Sequence, residues 1–350
     1  MAIIDDPSAY FQTTLYTGNG GTNAITNTGN SDLQPDWIWF KRRDGADNHI
    51  VFDVVRGVTK AIYPDLDNLE DTLSNSLSSF NSDGFTLGAD TASGGSINGS
   101  SETCVAWQWK AGTSVSGTTT GSGTGKAYTG SVNTDAGFSI IRYLGNSSAG
   151  HTIPHNLGAV PKMIIGHGLT GSDTTSWTVY HQSLGATKTV SLNERAAAST
   201  STVWNNTTPT SSVVSLGSSG NVNDNDDAFI LYSFAEKQGY SKISSYVGNG
   251  NADGTFVYTG FKPAWLMAFH TTAGNENWML VDNKRDGFNV ENEQLFPNTN
   301  IAEESNDEVD LLSNGFKLRR ANTRMNGSGA TYIFMAFAEN PFVASNFVTT

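Results

Sequence analysis

Short apolar runs, punctuated by Gly, Asn, Asp and Pro, set the rhythm of this chain. Trp37-Ile38-Trp39-Phe40, Ile50-Val51-Phe52, Met163-Ile164-Ile165 and Trp265-Leu266-Met267-Ala268-Phe269 are rich in β-branched and aromatic residues. Runs of this length, bounded by turn formers, predict strands. Several are apolar at consecutive positions, which predicts strands buried on both faces. The closing runs alternate, as Trp107-Gln108-Trp109 does, which predicts one buried and one exposed face. Helix signals are sparse. Leu66 to Ser78 and the acidic stretch Ile301 to Leu312 could each contain a short helix.

The pattern repeats. Pro35-Asp36-Trp37-Ile38-Trp39-Phe40 is followed by Asn48-His49-Ile50-Val51-Phe52-Asp53-Val54-Val55-Arg56-Gly57. Pro263-Ala264-Trp265-Leu266-Met267-Ala268-Phe269 is followed by Asn277-Trp278-Met279-Leu280-Val281-Asp282-Asn283-Lys284-Arg285. A turn precedes each copy, at Gly18-Asn19-Gly20 and Gly248-Asn249-Gly250, and Gly84-Phe85-Thr86-Leu87 or Gly315-Phe316-Lys317-Leu318 follows it. A looser middle copy has Tyr143-Leu144-Gly145-Asn146, Val160-Pro161-Lys162-Met163-Ile164-Ile165 and Trp177-Thr178-Val179-Tyr180-His181. All three close on aromatic runs, at Val105 to Trp109, Phe229 to Glu236 and Tyr332 to Glu339.

Such recurrence predicts an all-β chain of three tandem β-sandwich modules, jelly-roll or lectin-like, over 10–112, 127–238 and 239–345. Ala111 to Gly125 is almost entirely Gly, Ser and Thr. Residues 113–126 therefore read as a flexible linker between the first two modules. The second and third meet at Lys237-Gln238-Gly239-Tyr240 without a spacer, which predicts tighter coupling.

Composition narrows the partners. Charged residues are 15% of the 350 and the net charge is −13, so sequence-independent binding to nucleic acid is disfavoured. The densest basic run, Lys41-Arg42-Arg43, is followed at once by Asp44 and reads as a solvated strand end. No apolar run approaches the roughly 20 residues of a membrane span. The first residues lack a signal-peptide pattern, so the N-x-S/T triplets carry no glycosylation argument. Cys104 is the only cysteine; it excludes an internal disulfide and reads as a buried small hydrophobe.

Several of these motifs together resemble a poorly characterised repeat-domain family of tailed-phage tail-fibre and virion structural proteins, many of them marine. They are Leu15-Tyr16-Thr17-Gly18, Gln34 to Lys41, Phe52 to Gly57, Phe80-Asn81-Ser82-Asp83-Gly84-Phe85, Ala106 to Gly112 and Tyr332 to Phe342. The similarity covers nearly the whole chain; the middle copy departs from it, lacking Phe-Asp-x-x-Arg-Gly. The resemblance implies a virion location, other virion proteins as partners, and a tail fibre or tail-associated receptor-binding role. A capsid-decorating fibre is one alternative, and a tail-associated polysaccharide-degrading enzyme is another of a different class. A homotrimer is the assembly that family analogy implies.

No motif supports catalysis, and no cofactor or metal is expected. Gly121 to Lys126 fails the spacing of a phosphate loop. Pro154 between His151 and His155 argues against a helix that would align them as zinc ligands. Asp224-Asn225-Asp226-Asp227 and Glu303 to Glu308 are oxygen-rich, but neither matches a twelve-residue calcium loop, and solvated acidic loops are the simpler reading. Asp53 with Arg56 recurs as Asp282 with Arg285, which suggests a structural pair fixing a turn. Glycosidase chemistry would require two carboxylates about 5 to 9 Å apart in a cleft. If the chain binds a host-surface glycan, Trp204 with Asn205 and Asn206 is the candidate, because an aromatic flanked by loop-type residues suits a sugar face.

Overall fold

The computed structural model describes residues 4–90, 96–171 and 174–341. Strand accounts for 43% and helix for 3%, so the chain is all-β. No described helix is long and apolar enough to cross a membrane. Neither stretch with helical potential is helical. Asp71–Thr72 and Leu77–Phe80 are strands, and so is Glu304–Leu312, which buries Glu308, Val309 and Leu311.

Among the described residues every sheet pairing falls within one of three successive stretches of chain, called lobes below. The first lobe has a large antiparallel sheet in the order Phe11–Thr17, Thr103–Trp109, Trp37–Arg42, Ile50–Asp53. The third repeats it with Ser241–Val247, Thr331–Pro341, Phe261–His270 and Met279–Asp282. The second repeats it with Phe138–Leu144, Ala228–Phe234, Met163–Gly168 and Thr178–His181, and extends both edges. The registers coincide. Trp37 pairs with Trp109 and Trp39 with Trp107; Met163 pairs with Phe234 and Ile165 with Tyr232; Trp265 pairs with Phe337 and Met267 with Met335.

Each large sheet covers a small one across a private core, giving a sandwich-like unit. In the first lobe that core holds Ile38, Phe40, Phe52, Leu77, Phe85 and Leu87. The opposite faces of all three large sheets meet in one shared core, which includes Trp37, Trp109, Phe138, Met163, Tyr232, Phe234, Trp265 and Phe337. The equivalent closing-strand aromatics converge there: ring centroids lie 5.5 Å apart for Trp109 and Phe337, and 6.0 Å for Phe234 and Phe337. The lobes therefore form a closed, pseudo-threefold ring around a common centre, not beads on a tether.

Two expectations change for this reason. The closing strands have no exposed face. Gln108 is fully buried, donating to Thr14 Oγ1 (2.9 Å) and Asn27 Oδ1 (2.7 Å); its polarity serves an internal network, not solvent. The 113–126 stretch is not a free linker either. Thr113–Thr118 pairs in register with Ala127–Asn133, and Thr120–Gly121 pairs with His151–Pro154. An edge strand is held by backbone hydrogen bonds, so it needs no anchoring side chains, and composition alone could not distinguish it from a tether.

The repeated Gly-Asn turns have one cause. At Asn19, Asn146 and Asn249 the backbone N–H donates to the side-chain oxygen of a fully buried asparagine: Asn98, Asn223 and Asn326, at 3.1, 3.0 and 2.9 Å. The preceding glycine packs on the backbone beside that asparagine, where a Cβ on Gly18 would collide with Gly99 O.

Candidate functional site

The buried polar groups that sequence reading marks as special lie at the junctions between lobes. Asp53 fixes its own turn, accepting from the N–H groups of Val55 (3.0 Å) and Arg56 (2.9 Å) through Oδ1. Its Oδ2 receives Arg56 Nε at 2.6 Å, and both side chains are fully buried. Asp282 and Arg285 repeat this geometry, with Nε to Oδ2 at 2.7 Å. The turn-fixing role is thus borne out, and a second role appears. Tyr232 OH of the second lobe donates to Asp53 Oδ2 at 2.7 Å, and Trp107 Nε1–H of the first donates to Asp282 Oδ2 at 2.9 Å. Tyr232 and Trp107 are register equivalents. At the third junction their equivalent is Met335, and the carboxylate is replaced by His181, which bonds Phe334 O at 3.4 Å.

A second set of contacts completes the ring. The residue opening the fourth strand of each large sheet aims a ring N–H at the next lobe's backbone. Trp177 Nε1–H donates to Tyr63 O and Trp278 Nε1–H to Ser191 O, both at 2.9 Å; His49 Nε2 lies 3.1 Å from Phe296 O. Trp39 Nε1–H donates to His49 Nδ1 at 2.9 Å, so His49 is neutral with its proton on Nε2. The His181 bond is donated from second lobe to third; the other five of the six bonds are donated in one direction, first lobe to third, third to second and second to first. That is a heterologous interface closing after three units, within one chain.

Burial sets the protonation of these groups. It lowers His49 well below its ordinary value, and takes His167 and His181 to about 4. His167 also spans a junction, 2.9 Å from Asn68 O. Cys104 is buried, with its thiol pushed up to about 12; it behaves as the expected apolar filler. Glu303 is held low, against the cost of burial, by Arg43 of the first lobe (2.7 Å) and by Arg285 (2.9 Å). Its carboxylate is therefore a junction ion pair and not part of a solvated loop. Glu291 and Glu293 near it are lifted by burial to about 8 and about 7.

Trp204 does not form a surface platform. It is fully buried, edge-on to Tyr180 at 6.0 Å in the second lobe's private core. Asn205 and Asn206 beside it adopt φ of 50° and 47°; asparagine tolerates this left-handed backbone, so these residues make a turn. The loop-like neighbours that suggested exposure are the turn that returns the chain after Trp204 has entered the core.

Open surface clefts occur instead at two junctions. One, of about 220 Å³, lies between the first and third lobes and is lined by Gln12, Thr13, Asn283, Lys284 and Glu339. The other, of about 620 Å³, lies between the first and second, lined by Asp36, Val54, Val55, Ser114, Ser116, Thr129 and Ser131. A third cleft, on second-lobe loops, contains Asp224 and Asp227. Among the described residues no group of three or more His, Cys, Asp or Glu side chains is placed to hold a metal.

The family model described as a domain of unknown function, DUF7483, matches residues 6–341. The chain belongs to this family. No curated protein matches it. The single match runs through all three lobes, so the DUF7483 unit coincides with the whole ring and not with one sandwich, as the shared core requires.

Sequence reading found the Asp–Arg pairs because they recur. It missed Tyr232, Trp107, His49, Trp177 and Trp278 as junction residues. The available signal was their register equivalence in the repeat; their partners are remote carboxylates or carbonyls that no local pattern reveals.

Proposed function

We propose that the chain is a non-enzymatic structural protein of a tailed-phage virion, a tail fibre or tail-associated receptor-binding protein. One observation carries this reading: the most deeply buried ionic chemistry, Asp53–Arg56 and Asp282–Arg285, is engaged in closing a three-lobed ring. Groups so used are spoken for, with every strong donor paired, and they build a scaffold instead of a reaction centre. Rigid β-scaffolds presenting clefts and loops are a common basis for surface recognition. The motif resemblance to tail-fibre and virion structural proteins supports the location, and a Ser-, Thr- and Asn-rich surface with few charges suits an external protein.

The proposed partners are other virion proteins, with a host-surface glycan as receptor. The proposed assembly is a homo-oligomer, trimer first. Because the chain's own lobes already satisfy the head-to-tail contacts, such a trimer would use surfaces outside the ring. Light scattering at micromolar concentration should show three chains; a monomer there overturns this part. Antibody raised against the chain should label the tails of purified particles under the electron microscope. Capsid labelling would move the reading to a decorating fibre, and absence from particles would overturn it. Release of oligosaccharides from host polysaccharide by the purified chain would place it in the enzymatic class.

A further inference from the structure

The three lobe junctions are built alike, yet the clefts they leave differ in size and lining. At each, the same corner of a large sheet abuts the outer strand of the next lobe. A repeated backbone bond marks the corner: Val54 N–H to Asp36 O (3.0 Å), Asn283 N–H to Ala264 O (2.9 Å) and Gln182 N–H to Lys162 O (2.8 Å). At the second–third junction Gln182 closes the gap, its Nε2 donating to Ile243 O at 2.6 Å. At the third–first junction Lys284 and Glu339 flank a cleft of about 220 Å³, and Lys284 also borders one of about 410 Å³ along Thr13 to Tyr16. At the first–second junction the corner residues are Asp36, Val54 and Val55, which make no cross-junction side-chain bond to the described residues, and the cleft opens to about 620 Å³.

Its far wall is the extra strand Thr113–Thr118. Ser114 pairs directly with Ser131, and Ser116 with Thr129. Residues two apart on a strand share a face, and direct cross-strand partners share it too. Four hydroxyls therefore form a two-by-two patch, and all four residues line the cleft with Asp36. Ser131 Oγ accepts from Gly112 N–H at 2.9 Å, which leaves its own proton to donate. Asp36 is 4% exposed, and its Oδ2 accepts from Ala111 N–H at 2.8 Å. No other protein donor to this carboxylate is found among the described residues, so Oδ1 is free to accept from a ligand. Burial lifts the Asp36 carboxyl to about 6, so it is ionised at neutral pH.

We propose that this cleft is a binding site for a neutral saccharide. The lining holds a carboxylate, hydroxyls, the Gln34 amide and three valines, with no cation and no aromatic ring. A carboxylate accepting from hydroxyls makes charge-assisted bonds, and serine and threonine both donate and accept. That set matches adjacent sugar hydroxyls, with valine methyls against ring C–H groups. An anionic ligand would face Asp36 and the chain's −13 charge. A bound calcium would need 6 to 8 oxygen ligands, for which one carboxylate is a poor nucleus. The proposal rests on the adhesion reading and names its ligand class.

The test applies the purified full chain to an array of neutral oligosaccharides of hexoses and N-acetylhexosamines. Hits are then titrated while backbone amide resonances are followed by NMR. Binding should shift the amides of 112–116 and 129–131. Asp36→Asn keeps an acceptor for Ala111 N–H and should weaken binding at least about tenfold. Ser114→Trp, at an exposed strand position, should fill the cleft and abolish binding with the thermal midpoint unchanged. Thr28→Trp, beside the smaller cleft, should bind as wild type. An array without hits, or Ser114→Trp binding normally, overturns the proposal. A chain that binds saccharide but is absent from virions overturns the virion reading alone. One that labels tails yet binds no saccharide overturns this inference alone.

Discussion

Two junctions of the ring are anchored on a buried carboxylate, and the third is not. Where Tyr232 meets Asp53 and Trp107 meets Asp282, a hydrogen-bond donor enters an Asp–Arg pair fully removed from water. Where the third lobe meets the second, Met335 and His181 stand in the equivalent places, and one 3.4 Å bond to Phe334 O remains. The same backbone arrangement is thus held by a buried ion pair twice, and once by neutral hydrogen bonds and packing. A buried ion pair is costly to desolvate and gains its worth only when every member is present. The third junction shows the ring geometry accommodating an apolar substitute when donor and acceptor change together.

The largest effect should come from breaking an anchored junction one-sidedly. Asp53→Ala leaves the buried Arg56 guanidinium with only the more distant Glu70 carboxylate, at 3.6 Å, and Tyr232 OH without an acceptor. It should cost about 3–5 kcal/mol, read as a lower denaturation midpoint. His181→Ala removes a long bond and part of a side chain, and should cost clearly less. Equal losses would break the comparison.

Removing all charge at once should be milder. The triple variant Asp53→Leu, Arg56→Met, Tyr232→Phe imitates the third junction and should be more stable than Asp53→Ala alone, because no unpaired ion remains. A triple variant less stable than the single one would show that the pair, and not packing, defines this junction.

Trp107→Phe should cost about 1–3 kcal/mol, the range for leaving a buried acceptor short of one donor. Asp282 keeps its bonds from Arg285 and the turn N–H groups, so the turn itself should persist. Calorimetry comparing Trp107→Phe with Tyr232→Phe would show whether the two anchored junctions are matched.

The smallest effects per group are those of pH, and they oppose one another. His167 and His181, lowered to about 4 by burial, contribute stability that is present above their ordinary value of 6.5 and lost as pH falls through about 4. Glu293 and Glu291, raised to about 7 and about 8, contribute stability present below 4.5 and lost as pH rises through those values. The thermal midpoint should therefore peak between about pH 4 and 7. Glu291→Gln should flatten the alkaline side and leave the acid side alone; an unchanged alkaline slope would remove Glu291 from this account.

Much of this organisation was legible in the chain because local rules write it. Val51 and Leu280 sit in runs that are apolar on both faces, and those strands are buried on both faces. The Asp–Arg spacing recurs, and it makes the same turn twice. The Gly-Asn turns recur, and each sits against a buried asparagine. Trp204 misled because its neighbours Asn205 and Asn206 record the turn's left-handed backbone, which carries no information about where the preceding side chain points. The 113–126 stretch misled because an edge strand of serines and threonines has the composition of a tether.

By itself, then, the sequence determined the strands, the repeat, the turns and the all-β class, since backbone preference and side-chain periodicity act over a few residues. Long-range packing alone settled that the three lobes share one core, that Trp107 finds Asp282 and Tyr232 finds Asp53, and that a cleft of about 620 Å³ lies between Asp36 and a wall of hydroxyls. Those contacts join residues 175 and 179 positions apart. They follow from the apolar outer face that each large sheet keeps after covering its own small sheet. That face must be buried against something, and in this chain the other two lobes supply it.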